Sequence, residues 1–80
     1  MEPINKGELV SFDNGDSYYA VDTIMYNNQK YIYFAKQEGG VLAFLGKELI
    51  DNGELVIDVI EDKEEVKKIM GMFVEKNNWK

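Results

Sequence analysis

The order of apolar and polar residues changes period once along this chain. Over the first two-thirds, apolar runs are separated by turn-forming clusters: Asp13-Asn14-Gly15-Asp16, Asn27-Asn28, Gly39-Gly40 and Asp51-Asn52-Gly53. Asn and Gly tolerate the positive φ that tight hairpins require. The clusters recur about every dozen residues, the rhythm of strand–turn–strand repetition. They predict strands near 7–12, 17–26, 30–37, 41–46 and 54–60. Connections this short favour antiparallel neighbours, so the simplest arrangement is a five-stranded β-meander.

Alternation within these strands is imperfect. In the second, Tyr19, Val21, Thr23 and Met25 share one face, opposite Tyr18, Ala20, Asp22, Ile24 and Tyr26. In the third, Tyr31, Tyr33 and Ala35 oppose Ile32, Phe34 and Lys36; in the fifth, Leu55, Ile57 and Val59 oppose Val56, Asp58 and Ile60. Apolar bulk on both faces implies a sheet that curls toward a small barrel or is covered on both sides. Gly46, just after Leu45, is a candidate bulge at which the chain bends.

From Asp62 the spacing becomes helical. Val66, Ile69, Met70, Phe73 and Val74 form one stripe over a helix predicted at 62–76. Asp62 with Glu65 is a candidate capping pair, Glu64 suits the positive helix start, and Asn77-Asn78 is a stop. Lys67, Lys68, Glu75 and Lys76 lie off the stripe. Gly71 also lies off it, where only close approach to another element would account for it. The stripe needs burial, so the helix is expected to lie across one sheet face. The fold class is α+β: an antiparallel meander, strongly curled or partly barrel-like, with one C-terminal amphipathic helix packed on it.

Composition narrows the chemistry. Eighty residues suffice for one small domain. The chain has no Cys and no His, which excludes thiol nucleophiles, imidazole bases and Cys/His zinc sites. It has no Arg, so it lacks the bidentate fork for phosphate or guanine. A net charge of −6 disfavours long-range attraction to nucleic acid or anionic membrane. No basic n-region precedes an apolar stretch, and the run Val41-Leu42-Ala43-Phe44-Leu45 is far shorter than a membrane span. Cytoplasmic residence is expected. A core this small makes a homodimer an energetically reasonable state.

The polar clusters have simple readings. Asp13-Asn14-Gly15-Asp16-Ser17 lacks the longer alternating ligand series of a calcium loop and reads as a hairpin turn. Asp58, Glu61, Asp62, Glu64 and Glu65 are enough carboxylates for acid–base work, but a helix start explains them as capping and dipole compensation. Gly39-Gly40 leads into a strand rather than the helix a phosphate loop requires. No catalytic residue, metal site or cofactor is expected. The aromatic residues read first as cross-strand packing. If one sheet face is functional, Tyr18, Tyr26, Tyr31 and Tyr33 are its candidates, with Trp79 folding onto the sheet or anchoring a partner.

Three stretches together resemble a known plan: Phe12 to Thr23, Asn28 to Ala35, and the acidic amphipathic tail Glu61 to Phe73. They are similar to the small acidic YrzB-like proteins of Gram-positive bacteria, over about Gly7 to Glu75, with fewer acids before the helix than is usual there. The resemblance implies a cytosolic bacterial protein and brings no catalytic residues. A fainter likeness to Tudor- and SH3-like small barrels covers Gly7 to Phe12 and Gly15 to Val21, and fold analogy gives no function. The leading expectation is a non-catalytic protein-interaction module. An acidic nucleic-acid mimic of phage or mobile-element type is the alternative, and a small enzyme using Asp, Glu, Lys or Tyr ranks third.

Overall fold

The computed structural model describes residues 4–12, 15–36 and 43–79. It is an α+β fold of five antiparallel strands in sequential order, with one C-terminal helix. The strands are β1 (Leu9–Ser11), β2 (Ser17–Tyr26), β3 (Gln29–Ala35), β4 (Ala43–Asp51) and β5 (Glu54–Val59), and the helix is α1 (Lys63–Asn77). The hairpin residues behave as the turn chemistry requires. Asn27 and Asn28 at one turn, and Asn52 and Gly53 at the other, all hold positive φ. The turns at Asp13-Asn14 and Gly39-Gly40, and the start of the fourth strand at Val41-Leu42, lie outside the described residues.

Strand β4 is longer than its sequence suggested. It runs past Leu45 and Gly46 to Asp51, which pairs with Glu54 across the two-residue Asn52-Gly53 turn. Gly46 is therefore no bulge. It lies opposite Ile32 and Val59 in regular pairing. A Cβ there would fall 2.6 Å from Ile57 Cγ2 and 3.2 Å from a Phe34 ring carbon, so the glycine makes room for packing. The irregularity sits in β2 instead, where the register with β3 shifts between Ala20 and Asp22. Val21 is the extra residue, and it reverses the alternation. Tyr18 and Ala20 pack on one face with Phe34, whereas Ile24 and Tyr26 pack on the other with Tyr31. Strict alternation along the sequence would put all four on one side.

The sheet curls into a half-barrel around Ile4, Ala20, Ile32 and Phe34, with Val10, Phe12, Tyr18, Phe44, Leu55 and Ile57 around them. In a flat sheet β1 and β4 would lie about 14 Å apart. Here the Phe12 ring, just past β1, meets Phe44 of β4 at 5.9 Å. Edge-to-face contacts of Phe12 with Tyr18 and Phe34, and of Tyr18 with Phe44, complete the cluster. Ile4, outside the predicted strands, is buried at the mouth of the curl. Its N–H donates to Glu48 Oε2 at 2.9 Å, and Lys30 both pairs with Glu48 at 3.0 Å and donates to the Ile4 carbonyl.

The helix α1 covers the opposite face. Asp62 is the N-cap, accepting from the Glu64 N–H, and Asn78 closes the far end in the left-handed conformation. Ile69 and Phe73 are fully buried against Tyr31, Leu45 and Ile60, with Val66 and Met70 beside them. Val74, predicted within the stripe, is 38% exposed. At about 100° per residue it lies about 140° round the helix from Ile69, too far to reach the sheet. Gly71 has nothing within 4 Å of where its Cβ would be, so it marks no close approach. Among the described residues no helix is long and apolar enough to cross a membrane.

Candidate functional site

The five aromatic candidates do not form one surface. Tyr18 belongs to the concave cluster, with Lys36 Nζ 5.9 Å from its ring centroid. The other four lie on the α1 face: Tyr26 because the Val21 bulge turns the end of β2 toward the helix, Tyr31 and Tyr33 by the alternation of β3, and Trp79 by following α1. They divide again between the two ends of α1.

At the C-terminal end, Tyr33 lies between Phe73 and Trp79, at centroid distances of 6.0 and 5.7 Å. Trp79 folds back because the left-handed Asn78 reverses the chain, and the Trp79 N–H donates to the Val74 carbonyl at 3.0 Å. Beside this stack is a buried charge. Asp22 is 1% exposed and accepts from Asn77 Nδ2 at 2.6 Å, Lys76 Nζ at 3.0 Å and the Thr23 N–H at 2.9 Å. Burial alone would raise its pKa. The Asn77 amide, the Lys76 ammonium and the Thr23 N–H outweigh that and hold the carboxyl below its ordinary range. Lys76, which the stripe left on the solvent side, also donates to the Thr23 carbonyl at 2.7 Å. This end is a structural latch.

At the N-terminal end, Tyr31 is buried and its hydroxyl donates to Glu65 Oε2 at 3.1 Å. Lys47, opposite Tyr31 in the β3–β4 register, pairs with the same oxygen at 3.0 Å. Glu65 therefore does not reach back to the cap, as its spacing from Asp62 suggested, but ties α1 to the sheet. Lys47 chiefly drives the Glu65 pKa down, and Glu65 raises that of Lys47. Burial first, then the bond to Glu65, raises the Tyr31 hydroxyl. Next to this triad, Tyr26 carries Lys68 over its ring, with Nζ 4.7 Å from the centroid. Contact with the Tyr26 hydroxyl raises the Lys68 pKa.

Between the β2–β3 turn and the start of α1 an open depression of about 380 Å³ remains, lined by Tyr26, Tyr31, Asp62, Glu64, Glu65 and Lys68 among others. This is the candidate site. Tyr26 and Tyr31 were legible from residue type. Glu64, Glu65 and Lys68 were not, since an acidic helix start and an off-stripe lysine are ordinary features. The spacing Glu65–Lys68 hints that both sit near one helix face, but their sheet partners have no local sequence signal. Among the described residues no group of three or more acidic side chains is placed to hold a metal ion. Comparison with models of known families, with curated proteins and with solved structures finds no match for this chain.

Proposed function

We propose that this protein is a non-catalytic protein-interaction module of the bacterial cytoplasm, akin to the small acidic YrzB-like proteins, and that it binds its partner at the depression beside Tyr26. The observation that supports this reading is the electrostatic state of that site. Its resolved pKa shifts move Glu65 down and Lys47, Lys68 and Tyr31 up, so each group is fixed further into its ordinary charge state at neutral pH. Acid–base catalysis calls for the reverse, a group brought toward the working pH. Fixed charges beside an open, aromatic-walled depression suit recognition. The mimic of nucleic acid has less in its favour, because Lys30, Lys36, Lys47 and Lys76 each sit against a carboxylate and break up any phosphate-like array.

Self-association is the second reading. Ile50, Val56 and Val59 are exposed on the β4–β5 hairpin, at the last strand of the sheet order. One experiment addresses both. A photo-crosslinking residue is placed at position 64, inside the depression, at position 59 on β5, or at position 71 on the outer helix face. Adducts with a different protein from position 64 but not from 71 support the first reading. Adducts between two copies from position 59 alone support the second. Equal labelling from all three positions contradicts both.

A further inference from the structure

The arrangement of Lys68 is unusual for its position. Glu64 precedes it by four residues, the spacing at which a glutamate and a lysine ordinarily pair along a helix. Yet the ion pairs of the described residues do not join them. Lys68 instead lies over the Tyr26 ring, on the wall of the depression. Glu64 lines the same space and is exposed. An ammonium group is thus already seated on an aromatic face, in a depression that Asp62, Glu64 and Glu65 also line.

Charge favours a second cation there. The first turn of a helix carries a partial positive charge that opposes a cation. Lys47 already matches Glu65, which leaves Asp62 and Glu64 of the lining to outweigh Lys68 and that partial charge. The wall chemistry is complementary to an alkyl chain ending in a positive group: rings for the methylenes, carboxylates for the head. The whole chain, at −6, adds a long-range field of the same sense.

We propose that the depression between Tyr26 and the start of α1 receives a lysine side chain from a basic segment of a partner protein, and that Lys68 is the internal occupant it displaces. This rests on the reading of the site as an interaction surface and names its ligand. Lys68 acts as a built-in competitor, so an incoming cation succeeds only when neighbouring contacts add to its own. That makes the site selective for a clustered basic segment over a free amine.

The test titrates the full chain with capped tetralysine amide and, in parallel, capped tetraglutamine amide, following backbone amide shifts by NMR. Tetralysine is expected to shift Tyr26, Asn27, Tyr31, Glu64, Glu65 and Lys68, and tetraglutamine to leave them unmoved. Lys68→Ala is expected to bind tetralysine about fivefold more tightly than the natural chain, whereas Lys67→Ala, the same charge change on the outer helix face, alters affinity by less than about twofold. Glu64→Gln is expected to weaken binding. Both helix positions are exposed, so the variants retain the fold. Equal gains from Lys68→Ala and Lys67→Ala overturn the displacement proposal and leave the depression as a binding surface. Shifts elsewhere on the molecule, or equal binding of tetraglutamine, overturn both.

Discussion

On the concave side of the sheet, Phe12, Tyr18, Phe34 and Phe44 interlock, and among the described residues the ion pairs beside them are Lys30–Glu48, next to Ile4, and Lys36–Asp16, next to Tyr18. On the side covered by α1, Ile69 and Phe73 supply comparable apolar burial, but each end of the helix is tied down by ions. Asp22 takes Lys76 and Asn77 at one end, and Glu65 takes Lys47 and Tyr31 at the other. A sheet face closed by its own curl needs no further orientation, because the strand pairing already fixes where each ring lies. A helix laid across a sheet can slide and rotate at little cost in apolar area. Directional bonds at its two ends set its position, and with it the depression beside Tyr26.

The largest effect is expected where that division leaves no polar compensation. Phe34 is fully buried and touches Phe12, Phe44 and the space vacated at Gly46. Phe34→Ala is expected to cost about 3–5 kcal/mol, enough to remove most of the stability of a small domain. Urea denaturation, with the same loss at pH 4 and pH 7, is the check. A loss that depends strongly on pH would mean that the concave face is coupled to ionisation after all.

Asp22 provides the opposite case. Asp22→Ala removes the carboxylate shared by Lys76 and Asn77, which keep only the Thr23 and Phe73 carbonyls as acceptors, at a cost of about 1–3 kcal/mol. The sign of the pH dependence follows from the lowered carboxyl pKa. When a carboxyl is easier to ionise in the folded chain than in the unfolded one, its stabilisation is complete above the unfolded value. It is lost as pH falls through the folded value. The gap in stability between the natural chain and Asp22→Ala is therefore expected to hold from neutral pH to about pH 5 and to close below about pH 4. Urea midpoints across that range measure it. A constant gap would show that Asp22 acts through packing and not through charge.

The two faces also differ in how far the sequence revealed them. The meander, the Asn27-Asn28 and Asn52-Gly53 turns and the α1 stripe all rest on local periodicity or backbone preference, and they are present where the residues point to them, save that Val74 drops out of the stripe and β4 runs on to Asp51. The bulge at Val21 is not local. It exists only as a mismatch between β2 and β3, and nothing in Ala20-Val21-Asp22 announces it. Because it reverses the face of the end of β2, it also decides that Asp22 is buried under α1 and that Tyr26 meets Tyr31. Gly46 reads as a bend in isolation, and its role follows only from the close packing of Ile57 and Phe34 against it. Glu65 satisfies a capping spacing, yet its carboxylate is spent on Lys47 and Tyr31, a choice that depends on where β3 and β4 lie. The tyrosines were legible as candidates, but their division between a concave core, a latch and an open depression belongs to the tertiary fold.

The smallest expected effect separates helix formation from helix docking. Gly71 sits mid-helix on the exposed face, with open space where a side chain would project and with no positive φ to require glycine. Gly71→Ala therefore removes backbone freedom from the unfolded chain and adds no clash, an expected gain of about 0.5–1 kcal/mol. That gain should be independent of pH and salt, since neither the Asp22–Lys76 nor the Glu65–Lys47 pair is touched. It should also add to the cost of Asp22→Ala in the double variant, because the two act on different terms. Thermal unfolding of the four chains measures this. If Gly71→Ala instead destabilises, the outer face of α1 is in contact with something, and α1 could no longer be treated as a helix held from one side only.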